Sequence, residues 1–188
     1  MTALETLFEL YASFGEEDYI GEPVTQLAHM QQAAWLARSA GADEALILAA
    51  FFHDLGHLCA DKDAPQMDGL GVVGHEQIGA DYLIESGFSE RVAAGVGSHV
   101  AAKRYLCCRK PGYYDKLSEA SKGTLNFQGG PMSQEEAKAF EAHPQYKDFL
   151  RLRSWDEAAK KLDGSIIELA ELKEMAQRHL QQQQTNEG

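Results

Sequence analysis

Apolar residues recur along this chain at helical spacing, and the alternation that marks strands is scarce. The pattern predicts a first helix over about Thr2 to Phe14. A second spans Pro23 to Ser39, with Pro23 in its first turn and Gly41 as its stop. A third runs from Asp43, an N-cap residue type, to about Leu58. After a Gly- and Asp-rich loop, Asp61 to Gly74, two more helices are expected over about His75 to Glu85 and Ser89 to Cys107. The stretch Arg109 to Met132, rich in Gly, Lys and Tyr, reads as a long loop, and loops of that length in a compact domain tend to be functional or disordered. Ser133 to Glu136 and Ser154 to Glu157 carry the capping-box pattern that opens helices, which puts Asp156 in a first turn. The last helix covers about Ile166 to Gln181, followed by a frayed polar tail, 181–188. With no internal repeat, the expectation is one all-α domain, a compact helical bundle over residues 1–188.

The chemistry concentrates on the third predicted helix. Leu46, Ala50, His53 and His57 share one stripe, and Asp54 lies beside it. Two imidazoles and a carboxylate thus rise from an apolar, Ala-rich face, where a buried charge needs a partner. A lone His-Asp pair would more often be a polar patch. His29 shares its face with Ala33 and Leu36, His75 opens a helix, and His99 shares a stripe with Val92, Val96, Lys103 and Leu106. Three further histidines at or near apolar faces are hard to satisfy separately, but around cations they satisfy one another. Nitrogen and oxygen ligands of this kind suit zinc, iron or manganese, and a carboxylate such as Asp54 can bridge two ions. His57 and Lys103, four residues after His53 and His99, can donate to an anion beside the metals. His143 reads as a loop residue and His179 as a surface one.

Charge narrows the partners. With 17 Lys+Arg against 29 Asp+Glu, the formal net charge is -12. That argues against nucleic acid and anionic membrane as partners, but not against a small anion, because bound cations reverse the local field. Three cysteines, Cys59, Cys107 and Cys108, two of them adjacent, do not make a disulfide framework and fit a reducing cytoplasm. The acidic N-terminal stretch does not read as a signal peptide, and no apolar run approaches membrane-spanning length.

His29, His53-Asp54 and the distant Asp156 follow the H…HD…D pattern of the HD-domain superfamily, and His75 and His99 match the extra histidines of its two-metal members. With Tyr19-Ile-Gly-Glu22, His57, Lys103, the segment Ser121 to Pro131 with Gln128, and Arg153, the sequence resembles the HD-domain mixed-valent diiron oxygenases. Those enzymes cleave the carbon–phosphorus bond of 1-hydroxy-2-aminoethylphosphonates; myo-inositol oxygenase is a more distant relative. The resemblance covers about Asp18 to Asp156.

The resemblance implies two iron ions, Fe(II)/Fe(III), with O2 as co-substrate and a small organophosphonate as partner. It assigns His29, His53, Asp54 and Asp156 to one iron, and His75, His99 and the bridging Asp54 to the other. Asp54, His57 and Lys103 become the catalytic candidates. Tyr19 would occupy the first iron when substrate is absent, and Glu22 would turn inward to a substrate cation. His57, Lys103, Ser121 and Gln128 would hold the phosphonate, with Arg153 supporting them. Because quaternary ammonium groups favour aromatic cages, Tyr19, Tyr113, Tyr114 and Phe127 tilt the choice of substrate. They favour 1-hydroxy-2-(trimethylammonio)ethylphosphonate, giving glycine betaine and phosphate, over the primary amine, giving glycine. A metal-dependent HD phosphohydrolase is the alternative reading. Arg109 to Lys116 reads either as a mobile lid or as a solvated linker.

Overall fold

A computed structural model describes residues 2–19 and 21–186 of the chain. Ile20 of the Tyr19–Glu22 element and the last two residues of the tail lie outside the described residues. Ten α-helices and no strands are found among them, so the fold is all-α as expected. Among the described residues, no helix is long and apolar enough to cross a membrane.

Helix α1, Ala3–Phe14, starts at a capping box between Thr2 and Glu5 and buries Leu7, Phe8 and Tyr11. Helix α2, Gln26–Ser39, begins later than Pro23 because the Thr25 hydroxyl caps it, accepting from the Ala28 amide at 3.1 Å. Helix α3, Glu44–Phe52, is capped by Asp43, and every residue from Leu46 to Phe52 is buried. A helix apolar all round belongs at the centre of a core, and α3 is packed against α2, against α6 (Glu90–Arg109), against α9 (Tyr146–Ala158) and against α10 (Leu169–Asn186).

The third predicted helix does not run unbroken to Leu58. The chain turns at residues 53–55 and resumes as the single turn α4, Gly56–Cys59. Tight bonds from the Leu55 amide to the Phe52 carbonyl and from the His57 amide to the Asp54 carbonyl carry the backbone through the bend. Gly56, just after the bend, is the point of closest approach to the next helix. A β-carbon on it would lie 1.9 Å from the His75 carbonyl oxygen. Only glycine lets the start of α5, His75–Glu85, press against the break.

The segment expected as one loop, 109–132, holds a 3₁₀ turn, Tyr114–Lys116, and helix α7, Glu119–Phe127, capped by Ser118. Helix α7 is weakly signalled, since Gly, Ser, Thr and Asn dilute its propensity and only Leu125 is fully buried. The Ser133–Glu136 capping box does open a helix, α8, Gln134–Glu141. The Ser154–Glu157 pattern does not. It lies inside α9, where the Ser154 hydroxyl bonds back to the Arg151 carbonyl at 2.6 Å. Asp156 therefore sits in the last turn of a helix, not the first. Helix α10 continues through the polar tail to Asn186 instead of fraying after Gln181, as a run of good helix formers permits. His179 is buried on it, stacked on Phe88 and accepting from the Ser89 amide, and so is not a surface residue.

Candidate functional site

Four elements deliver four buried histidines to one point: His29 from α2, His53 from the bend after α3, His75 from the first position of α5 and His99 from α6. Each is oriented in the same way. The Nδ1 of His29 bonds the Ala159 carbonyl, that of His53 the Ala50 carbonyl, that of His75 the Val72 carbonyl and that of His99 the Val96 carbonyl, at 2.8 to 3.2 Å. A carbonyl only accepts, so each Nδ1 carries the proton and a neutral ring keeps a bare lone pair on Nε2.

Those lone pairs face one another. His29 Nε2 lies 3.0 Å from His53 Nε2, and His75 Nε2 lies 3.0 Å from His99 Nε2. Between them is Asp54. Its Oδ2 is 3.3 Å from His53 Nε2 and 3.6 Å from His29 Nε2, while its Oδ1 is 3.4 Å from both His75 and His99. Asp156 Oδ1 approaches the first pair, at 3.4 and 3.6 Å. Asp54 Oδ2 is buried with no hydrogen-bond partner. Two lone-pair nitrogens aimed at each other beside an orphaned carboxylate oxygen are repulsive unless a cation lies between them. His29, His53 and Asp54 could hold one metal ion, and Asp54, His75 and His99 a second.

The protonation pattern fits this. Burial would raise the Asp54 and Asp156 carboxyls, but His53 beside the first and Arg153 beside the second hold both well below the usual range. Burial lowers the His53 imidazole, yet the two carboxylates outweigh it and push the group up to about 10. The site therefore demands positive charge between its ligand atoms, as a proton or as a metal.

The paired ligands open on a cavity of about 250 Å³. His57 lines it, its ring stacked on His75 with centroids 3.9 Å apart. The Val72 amide donates to His57 Nδ1 at 3.1 Å, so the ring proton sits on Nε2. Gly71 makes room for the ring, since a β-carbon there would be 2.6 Å from it and the backbone is left-handed at φ +104°. Burial, then the neighbouring His75, pushes the His57 pKa down to about 3. The group is thus a neutral donor. Lys103 is buried beside it, donating to Thr124 Oγ1 at 2.8 Å and to the Ser121 carbonyl at 3.3 Å. Burial and the nearby Arg153 guanidinium push its pKa down to about 7.

Arg153 donates to Asp156 at 2.5 Å, to Glu157 at 2.8 Å and to the Tyr113 hydroxyl at 3.2 Å, leaving one guanidinium nitrogen buried and unpartnered. Ser121 and Gln128 line the same cavity. Tyr19 stacks on His29 with centroids 4.1 Å apart; burial and then the Asp54 carboxylate keep its phenol protonated well above the usual range. Glu22 faces the cavity but is paired with Lys160.

The thirteen residues assigned in the sequence to metal, catalysis or substrate contact, the further cage aromatics aside, surround one cavity or the ligand cluster at its floor. The expected aromatic cage does not form: of its four candidates only Tyr19 lines the cavity. Tyr114 and Phe127 are exposed, and Tyr113 is buried against Arg153 and Glu157. His143 lies outside the site. Thr124 and Lys160 were missed. Their signal was faint: Thr124 follows Ser121 by three positions and Lys160 follows Asp156 by four.

Residues 27–143 match the HD domain. The chain belongs to the HD-domain family. Asp156, Tyr19 and Glu22 lie outside the matched span, so the fold brings them to a site that the HD segment only partly encodes. The chain is 42% identical over 164 residues to the 1-hydroxy-2-(trimethylamino)ethylphosphonate dioxygenase (glycine-betaine-forming) of Leisingera caerulea, covering 87% of this chain and 83% of that protein. It is 38% identical over 167 residues to a hydroxymethylphosphonate dioxygenase of Gimesia maris, covering 88% and 82%. An uncharacterized protein of Acanthamoeba polyphaga mimivirus is 48% identical over 164 residues, covering 87% of this chain and 75% of the viral protein.

Proposed function

We propose that this HD-domain protein is a two-iron oxygenase that uses O2 to cleave the carbon–phosphorus bond of a small 1-hydroxyphosphonate. One observation carries the reading: the two oxygens of Asp54 serve two separate histidine pairs, at the floor of a cavity lined by His57, Lys103 and Arg153. The relatives named for phosphonate dioxygenation support it. The reaction balances without a further reductant, because one O2 converts the hydroxyphosphonate into a carboxylic acid and phosphate.

Iron in the Fe(II)/Fe(III) state, held by His29, His53, Asp54 and Asp156 and by Asp54, His75 and His99, would supply the one-electron chemistry that O2 requires. The chain's own groups do the rest. The His57 Nε2–H, the Lys103 ammonium and the free Arg153 nitrogen hold the phosphonate, with Ser121 and Gln128 beside them. Lys103 spends two of its three protons on Thr124 and Ser121, so its third is aimed by the protein and not by solvent. Tyr19 covers His29 and excludes water from that side. The unpaired cysteines fit a reducing cytoplasm. The trimethylammonio and primary-amine substrates differ only in the group that would meet Glu22, and the cage favouring the former is reduced to Tyr19.

The test is O2 uptake by iron-loaded protein given 1-hydroxyphosphonates, with phosphate assayed alongside. Uptake equal to phosphate release is the expected result. Phosphate freed from an ester under nitrogen, with no uptake on any phosphonate, would replace this reading with that of an HD phosphohydrolase.

A further inference from the structure

Glu22 and Lys160 form an ion pair inside the cavity. Glu22 Oε1 lies 2.5 Å from Lys160 Nζ, and their side chains are only 9% and 17% exposed. The ammonium also sits 5.8 Å from the centroid of the Tyr19 ring. The three groups together make a small site already filled by a cation of the chain's own.

The lysine is not there by chance of a loose side chain. It follows Ala159, whose carbonyl accepts the His29 Nδ1 proton at 2.8 Å. It precedes Lys161, whose amide and carbonyl are both bonded to the buried Gln32 side chain, at 3.1 and 2.8 Å. The backbone is therefore pinned on each side of Lys160, through residues that also fix His29 and α2. The turn that delivers Asp156 to the ligand cluster delivers Lys160 to Glu22.

We propose that Lys160 is a specificity-determining residue: it neutralises Glu22, so that the cavity favours a 1-hydroxyphosphonate with an uncharged substituent on C1 over one with a cationic amine. This rests on the oxygenase reading above. A cationic substituent gains Glu22 only by evicting the lysine, which exchanges one cation for another and leaves a displaced ammonium to be accommodated. An uncharged substituent leaves the pair intact. Among the described residues, the only other carboxylate of the cavity outside the ligand cluster is Glu17, which is solvent-exposed and a poor substitute.

The experiment compares the full chain with Lys160→Met. The ligands are hydroxymethylphosphonate and 1-hydroxyethylphosphonate, uncharged at C1, against 1-hydroxy-2-aminoethylphosphonate and its N-trimethyl form. Binding is read by calorimetry on metal-loaded protein under nitrogen, and turnover separately by O2 uptake. The wild type should prefer the uncharged ligands, and Lys160→Met should move the ratio of affinities towards the cationic ones by at least about tenfold. A wild type that prefers the cationic ligands, or a ratio that Lys160→Met leaves unchanged, overturns the proposal. If the expected binding ratios are found without O2 uptake, it is the oxygenase reading that falls, and the role of Lys160 in ligand choice stands.

Discussion

Lys103 makes the strongest prediction about pH. It is buried beside Arg153, and both effects favour its neutral form, so its pKa falls from 10.5 to about 7. A phosphonate needs the charged form. Below pH 7 the free protein already carries the ammonium, and binding draws on it without cost. Above pH 7 a proton must be taken up, so affinity should fall about tenfold for each further pH unit, or about a hundredfold by pH 9. The same depression affects folding in the opposite sense. The unfolded chain binds this proton up to its ordinary pKa and the folded chain only up to about 7. Stability therefore rises with pH between about 7 and 10.5, and Lys103 contributes no slope below that window. The assay is the pH profile of kcat/KM for one 1-hydroxyphosphonate, in the wild type and in Lys103→Arg, whose guanidinium stays charged. Dividing one profile by the other cancels the ionisation of the substrate itself. The ratio should fall steadily above pH 7. Parallel profiles would refute the claim that Lys103 titrates in this range and that its charge holds the anion.

Gly56→Ala places a β-carbon against the His75 carbonyl, backbone against backbone. It should cost about 3 kcal/mol in thermal unfolding and lower the metal content by up to one ion per chain, because His75 is pushed off its partner His99. On the proposed two-metal reading, Asp54→Asn removes the carboxylate common to both sites, and metal analysis should find both ions lost, not one. Ser133→Ala should cost about 1 kcal/mol as the loss of a helix cap. Ser154→Ala, with the same local sequence pattern but a position inside α9, should change stability by less than about 0.5 kcal/mol in the same denaturation assay.

The histidine cluster was legible in the chain because its residues are chemically expensive to bury, whereas Tyr19, Glu22, Ser121, Gln128, Arg153 and Asp156 were reached only through the family resemblance. Histidines on apolar stripes and a His-Asp pair at a core face announce themselves without coordinates, as His29, His53, His75 and His99 do. The helices with dense apolar faces, α1, α5 and α6, were equally plain. Weakly patterned pieces were not. Helix α7 has one fully buried residue, and its propensity is diluted by polar and small residues. The Ser154 pattern looks the same at a helix start as within a helix, since nothing local tells the two apart.

The amino-acid sequence by itself determined the class of fold and pointed to the histidines on apolar faces with Asp54, His57 and Lys103, because periodicity and burial cost are local properties of the chain; Tyr19, Glu22, Ser121, Gln128, Arg153 and the role of Asp156 came only with the family resemblance. Tertiary structure decided what those groups do to one another. The close approach of the His75 carbonyl to Gly56, just after the bend at His53-Asp54, exists only once α5 has docked. The two faces of Asp54 exist only because histidines from four separate elements converge on it. Glu22 reads as open to a substrate until α9 ends where it does and brings Lys160 across to it. Charge and shape complementarity between residues more than a hundred positions apart leave no periodic trace in the sequence.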